Sequence, residues 1–246
     1  MNLLRISITL LAFVFILRPG MAQPESITLR FLFLDESAGA YSLKIGQRHH
    51  DLGPTPYVIS APQELPPGTR LELYKELPDP ETGQPVRTRV LNRTAPADLT
   101  HALVVISPVA AVAADGTRAY AARFYDTDPA RSPARSIRIL NLSPTPMAAR
   151  FGTSETSVGP GEAKTIQPAP DNRGRLRTFI GVRTQNNTGG WDVIYNSFIS
   201  LRENQRMTGI VVYSPSGLRH TYSEDELTAL GPPKAGHFWL TFTETL

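Results

Sequence analysis

Apolar residues in this chain come in short, strand-length runs separated by Pro, Gly, Asp and Asn, and that punctuation constrains the fold more than any other feature. The runs Ile27 to Leu34, Tyr41 to Gly46, Tyr57 to Ile59, Arg70 to Tyr74, Val86 to Leu91 and Ala102 to Ile106 follow one another at short intervals. Tyr41-Ser42-Leu43-Lys44-Ile45 alternates strictly, the period of a strand with one face on a core, and Gly46 predicts a turn after it. Ile27 to Leu34 is rich in residues that suit a pleated, half-buried surface. Strands spaced in this way, with turn residues between them, predict an antiparallel sandwich or barrel.

The pattern then repeats. At one constant offset Gly46, Leu52, Gly53 and Pro54 match Gly152, Val158, Gly159 and Pro160, and Leu43-Lys44-Ile45 lies over Ala149-Arg150-Phe151. Leu103-Val104-Val105-Ile106-Ser107-Pro108 reads as the counterpart of Ile210-Val211-Val212-Tyr213-Ser214-Pro215 with one residue of slippage, which variation in loop length explains. The turns and their flanking strands keep their order, so we read a duplicated β-unit.

The second unit opens at Ile137-Arg138-Ile139-Leu140-Asn141-Leu142-Ser143-Pro144, continues through Ala148 to Gly152, turns at Gly159-Pro160-Gly161 and resumes at Ala163 to Ile166. Arg177 to Arg183 pairs with Trp191 to Tyr195 across an Asn-Gly-rich loop, whose residues tolerate the positive φ angles a hairpin demands. The equivalent loop of the first unit, Pro78 to Pro85, is proline-rich. Arg118 to Tyr125 reads as one further strand, Ser223 to Leu230 carries a serine cap and early acidic residues that predict a short helix, and His237 to Thr243 reads as a closing strand. The expected organisation is an export signal over 1–22, a first sandwich over 23–125, a polar, proline-rich linker over 126–135, and a second sandwich with a C-terminal helix and strand over 136–246.

Arg5, the apolar stretch Ile6 to Leu17, and Gly20-Met21-Ala22 have the order of a cleavable secretory signal, with cleavage after Ala22. The apolar stretch is well short of the roughly 20 residues a spanning helix requires, so no stable membrane span is expected after cleavage. The chain contains no cysteine, which removes disulfides, thiolate metal sites and a cysteine nucleophile from consideration. Losing Arg5 and Arg18 with the signal brings the 25 basic residues close to the 22 acidic ones, and no basic run is interleaved with aromatics. A nucleic-acid partner is therefore not expected.

The opening Ile137 to Pro144, the short strand ending in Gly152, the turn at Gly159-Pro160-Gly161 and the closing Ile210-Val211-Val212-Tyr213 resemble an uncharacterised family of bacterial exported proteins. The resemblance covers mainly 136–215. The first unit lacks the Asn-x-Ser-Pro opening and has Asp35-Glu36-Ser37 instead. It implies tandem antiparallel immunoglobulin-like β-sandwich domains and carries no catalytic residues with it. A periplasmic accessory protein of polysaccharide acetylation, also built of β-sandwiches, is a looser similarity.

Few residues have the grouping that chemistry needs. His49-His50-Asp51 holds imidazole and carboxylate ligands side by side, but neighbours on a strand point to opposite faces, so the segment reads as a turn rather than a metal site. No Gly-x-Ser-x-Gly elbow and no phosphate-binding glycine loop occurs, and the acidic residues fall in loops or in the expected helix. Alternation through Val193 places Trp191 and Tyr195 on one side of their strand, where they can contact a sugar ring or a protein partner if exposed, or fill the core if not; Trp239 has the same two readings. The expectation is a non-enzymatic, cofactor-free binding or structural module of the cell envelope, periplasmic or extracellular, with an envelope protein or polysaccharide as partner. The alternatives are an adaptor in envelope polysaccharide modification or export, and a hydrolase without a recognisable motif.

Overall fold

The computed structural model describes residues 26–35, 41–53, 56–79, 81–112, 118–183, 190–215, 217 and 235–245. The segment read as an export signal and the helix expected over 223–230 lie outside these residues. Among the described residues each unit has eight strands. In the first they are β1 (Ile27–Phe33), β2 (Tyr41–Ile45), β3 (Arg48–Gly53), β4 (Gln63–Leu65), β5 (Arg70–Pro78), β6 (Pro85–Thr94), β7 (His101–Val112) and β8 (Arg118–Asp126). In the second they are β9 (Ile137–Asn141), β10 (Met147–Phe151), β11 (Ser154–Val158), β12 (Ala163–Ile166), β13 (Arg175–Arg183), β14 (Trp191–Ser200), β15 (Gln205–Ser214) and β16 (Gly236–Thr245).

The duplication extends to the order of every strand. The first unit forms two four-stranded sheets, β4-β1-β7-β8 and β3-β2-β5-β6; the second forms β12-β9-β15-β16 and β11-β10-β13-β14, the same order throughout. Each unit contains one parallel pair, β1 with β7 and β9 with β15. Each also has a two-residue hairpin turn led by a glycine, Gly46 at φ 60° and Gly152 at φ 62°, a region that a side chain rarely enters. A bulge recurs too: Val90 on β6 and Ile194 on β14 are the extra residues opposite Leu73/Tyr74 and Ile180/Gly181. The C-terminal strand β16 completes the second unit, where β8 completes the first.

Two expectations are corrected. His49-His50-Asp51 is part of strand β3, because the tight turn is made by Gly46 and Gln47 immediately before it. Tyr57 to Ile59 is not a strand: Tyr57 has φ 60°, which breaks extended backbone, and Ile59 makes only an isolated bridge to Leu32. The short polar strands β4 and β11 were not expected, since neither carries a run of apolar residues.

Three cores hold the molecule. Ile27, Leu29, Phe31, Leu43, Leu73 and Val104 are among those filling the first sandwich, and Ile137, Ile139, Phe151, Ile180 and Val211 the second. The third lies between the units: Leu32, Tyr57, Leu103 and Val105 pack with Leu140, Ile210 and Val212. Sheets β4-β1-β7-β8 and β12-β9-β15-β16 therefore face each other, and the sandwiches stack as four layers. Arg30 reinforces the contact, lying over the Phe242 ring and 3.6 Å from Glu244, which also binds Arg206 at 2.6 Å. The two inner sheets are covered on both faces, which leaves the outer sheets to meet solvent.

Candidate functional site

The two outer sheets descend from one pattern, so their solvent faces can be compared position by position through the ladder partners. Ser42 pairs with Tyr74 and Ala148 with Gly181; Lys44 pairs with Glu72 and Arg150 with Phe179. Tyr74 in turn pairs with Arg89 and Gly181 with Val193, while Glu76 pairs with Arg87 and Arg183 with Trp191. One contact survives in both copies: Arg70 bonds the Asn92 side chain, and Arg177 bonds that of Asn196 at 2.5 Å. The rest has diverged.

On the first unit the face is closed, and carboxylates on the face itself pair with most of its cations. Tyr74 covers its centre, with the His49 ring edge-on at 4.8 Å and His49 Nδ1 3.3 Å from Ser42 Oγ. Three of its cations approach a carboxylate, Lys44 and Arg89 reaching Glu72 at 3.9 and 3.4 Å and Arg87 binding Glu76 at 2.9 Å, while Arg70 bonds Asn92.

On the second unit the same face is open. Glycine at 181 and alanine at 148 leave a depression of about 850 Å³, a size that suits a small-molecule or chain-like ligand. Trp191, 49% exposed, leans over Gly181, and Val193, 61% exposed, continues that wall. Arg150, Phe179 and Glu155, neighbours in one row across the sheet, line it together with Lys164. Phe179 and Phe198 stand where the first unit has Glu72 and Thr94, and arginines stack on them: Arg150 and Arg177 over Phe179 at 4.7 and 4.9 Å, Arg175 and Arg177 over Phe198 at 5.4 and 5.2 Å. A guanidinium over an aromatic face can still donate from its N–H edge, as Arg177 does to Asn196 and Arg175 to Asp171. The carboxylates nearby are Glu155, 3.9 Å from Arg150, and Asp171, 3.1 Å from Arg175. The backbone N–H of Arg175, helped by that of Arg173 and by the Arg175 side chain, holds the Asp171 carboxyl below the usual range, so it stays ionised.

The two aromatics expected to share a side do not. The bulge at Ile194 resets the alternation, so Trp191 opposes Arg183 on the solvent face while Tyr195 opposes the buried Ile180 and packs on the second core. Trp239 is also core-associated: its ring packs on that core and sits directly over Gly209. His49 lies on the closed face beside Tyr74, and among the described residues no group of three His, Asp or Glu is placed to hold a metal ion. Arg150, Glu155, Phe179 and Gly181 were not expected at a site. Their signal appears only when the two copies are aligned strand by strand and outward positions are compared.

A second, smaller depression of about 390 Å³ lies between the units, lined by Arg123, Tyr125, Leu142 and Pro160 among others. Fold and site together define a duplicated, two-sandwich β-protein in which one outer face is closed and its counterpart open. Comparison with protein-family models and with curated proteins finds no match to the chain.

Proposed function

We propose that the protein is an exported, non-enzymatic binding module of the cell envelope, its immunoglobulin-like sandwiches acting as a rigid support and the open outer face of the second one as the contact surface. The observation that carries this reading is the divergence at one position: the first copy closes its face with Tyr74, whereas the second has Gly181 there and an exposed Trp191 beside it. A large aromatic left half-exposed on a sheet, next to a vacated floor, is an arrangement expected of a contact surface and not of a core. The resemblance to exported tandem-sandwich proteins and the apolar N-terminal segment support the compartment.

The experiment is a pull-down with the full chain from envelope extract and against a glycan panel, run beside Trp191→Ala and Tyr195→Ala. Trp191→Ala is expected to lose the partner with its melting temperature unchanged, whereas Tyr195→Ala lowers the melting temperature because it empties core volume. A partner fully retained by Trp191→Ala removes this face from the function. Turnover of ester or glycoside substrates replaces the binding reading with a hydrolase.

A further inference from the structure

Resting on that reading, we propose that the ligand is an anionic glycan, with a sugar ring stacked on Trp191 above the Ala148–Gly181 floor and its acidic groups held by Arg150 and Arg177. The charge pattern of the two copies carries this step. In the first unit Glu72 pairs with Lys44 and Arg89, and Glu76 with Arg87, on the face itself. In the second, Phe179 and Arg183 occupy those two positions, so both carboxylates are gone while the cations at the positions of Lys44 and Arg70 remain as Arg150 and Arg177. The carboxylates of Glu155 and Asp171 meet Arg150 at 3.9 Å and Arg175 at 3.1 Å, and Lys164 adds another cation to the lining of the depression. Guanidinium groups placed over aromatic rings suit contact with carboxylate or sulfate.

Shape favours a glycan over a protein. The depression is shallow and lies across β10, β11 and β13 of a rigid sheet, with Trp191 and Val193 of β14 lining it too; next to Phe179 the face carries Arg177 and Phe198. Sugar rings present apolar faces to aromatics and polar edges to arginine at the same time. A stable protein interface needs on the order of 800 Å² per partner, with a packed apolar centre, and here the exposed apolar side chains Trp191, Val193 and Phe198 are interrupted by arginines and Asn196.

The test is affinity electrophoresis and calorimetry of the purified full chain with polygalacturonate, with a neutral β-glucan, and with poly-glutamate as a polyanion that is not a sugar. Polygalacturonate is expected to bind, with affinity falling as salt rises. Gly181→Tyr restores the closing side chain of the first copy, and a Cβ at 181 meets nothing nearer than 3.5 Å; it is expected to weaken binding about tenfold or more, roughly 1.4 kcal/mol, with the melting temperature retained. Trp191→Ala is expected to do the same, and Arg87→Ala on the first unit to leave binding unchanged. Equal binding of the neutral glucan overturns the charge assignment, and equal binding of poly-glutamate overturns the sugar assignment; each leaves the face a binding surface. Failure of all three probes, together with an envelope protein captured by the parent chain and lost in Gly181→Tyr, overturns the glycan and keeps the binding module. Binding of polygalacturonate untouched by both variants overturns this site.

Discussion

The least expected residues lie in the first core. Asp35 and Lys75, each nearly inaccessible, form an ion pair at 2.8 Å, and the hydroxyls of Tyr41 and Tyr120 both donate to the same carboxylate oxygen. Burial, with the nearby carboxylate, raises the Tyr41 hydroxyl far above the normal phenol range, so it stays a donor. The second copy solves the same packing problem without charge: Met147 opposite Val182 stands where Tyr41 opposes Lys75. Removing one partner strands the other in the core, so Lys75→Met is expected to cost about 3–5 kcal/mol in denaturant unfolding. Combining it with Asp35→Asn should cost measurably less than the two single changes added together, and strict additivity would show that the pair is not coupled. His237 offers a pH test. Desolvation lowers its pKa below the ordinary 6.5, against the opposing pull of Asp192, and its Nε2 lies 3.1 Å from Thr145 Oγ1. The unfolded chain then takes up this proton at higher pH than the native one, so stability falls as pH drops from about 6.5 towards the native pKa. His237→Gln should flatten that slope in thermal melts between pH 7 and 5, and an unchanged slope would assign it to another group. None of these partnerships was legible beforehand, because Asp35 and Lys75 are far apart in sequence and nothing local marks a charged residue for burial.

At the scale of strands, the copies differ where one core holds a larger ring. Trp239 on β16 occupies the place of Phe124 on β8, and Gly209 on β15 that of Ala102 on β7. A Cβ at Gly209 would fall 1.7 Å from the Trp239 ring, so the glycine is required by the tryptophan and not by a turn. Gly209→Ala is therefore expected to destabilise by about 1–3 kcal/mol through overpacking. Adding Trp239→Phe recreates the pair of the first unit and should recover most of the loss in the same unfolding measurement; no recovery would mean that the clash is not the cause. The bulge at Ile194 acts on the same scale. Alternation predicts Trp191 and Tyr195 on one side, and a single extra residue sends one to solvent and the other to the core. Strict period-two reading fails wherever a ladder slips, and nothing in Trp191-Asp192-Val193-Ile194-Tyr195 announces the slip. Its counterpart at Val90 shows that the bulge predates the divergence of the copies.

For the whole molecule, the decisive feature is the core shared by the two sandwiches. Leu32, Leu103, Leu140 and Ile210 are fully buried although they point away from their own sandwich interiors. Two units joined by such an interface are expected to melt in one calorimetric transition. Leu103→Asp places a carboxylate in that shared core and should separate the melting into two steps; a single step retained at an unchanged midpoint would mean that the interface contributes little. The sequence by itself determined the β character, the duplication and the glycine-led hairpins, because alternation, turn chemistry and repetition are local and survive without knowledge of neighbours. Only the tertiary structure decided what covers what. Leu103 to Ile106 and Ile210 to Val212 do not alternate because both of their faces are buried, and a continuous apolar run does not say which layer lies on either side. The open face was hidden for the same reason: Gly181 means a vacancy only once strand pairing sets it where Tyr74 stands in the other copy.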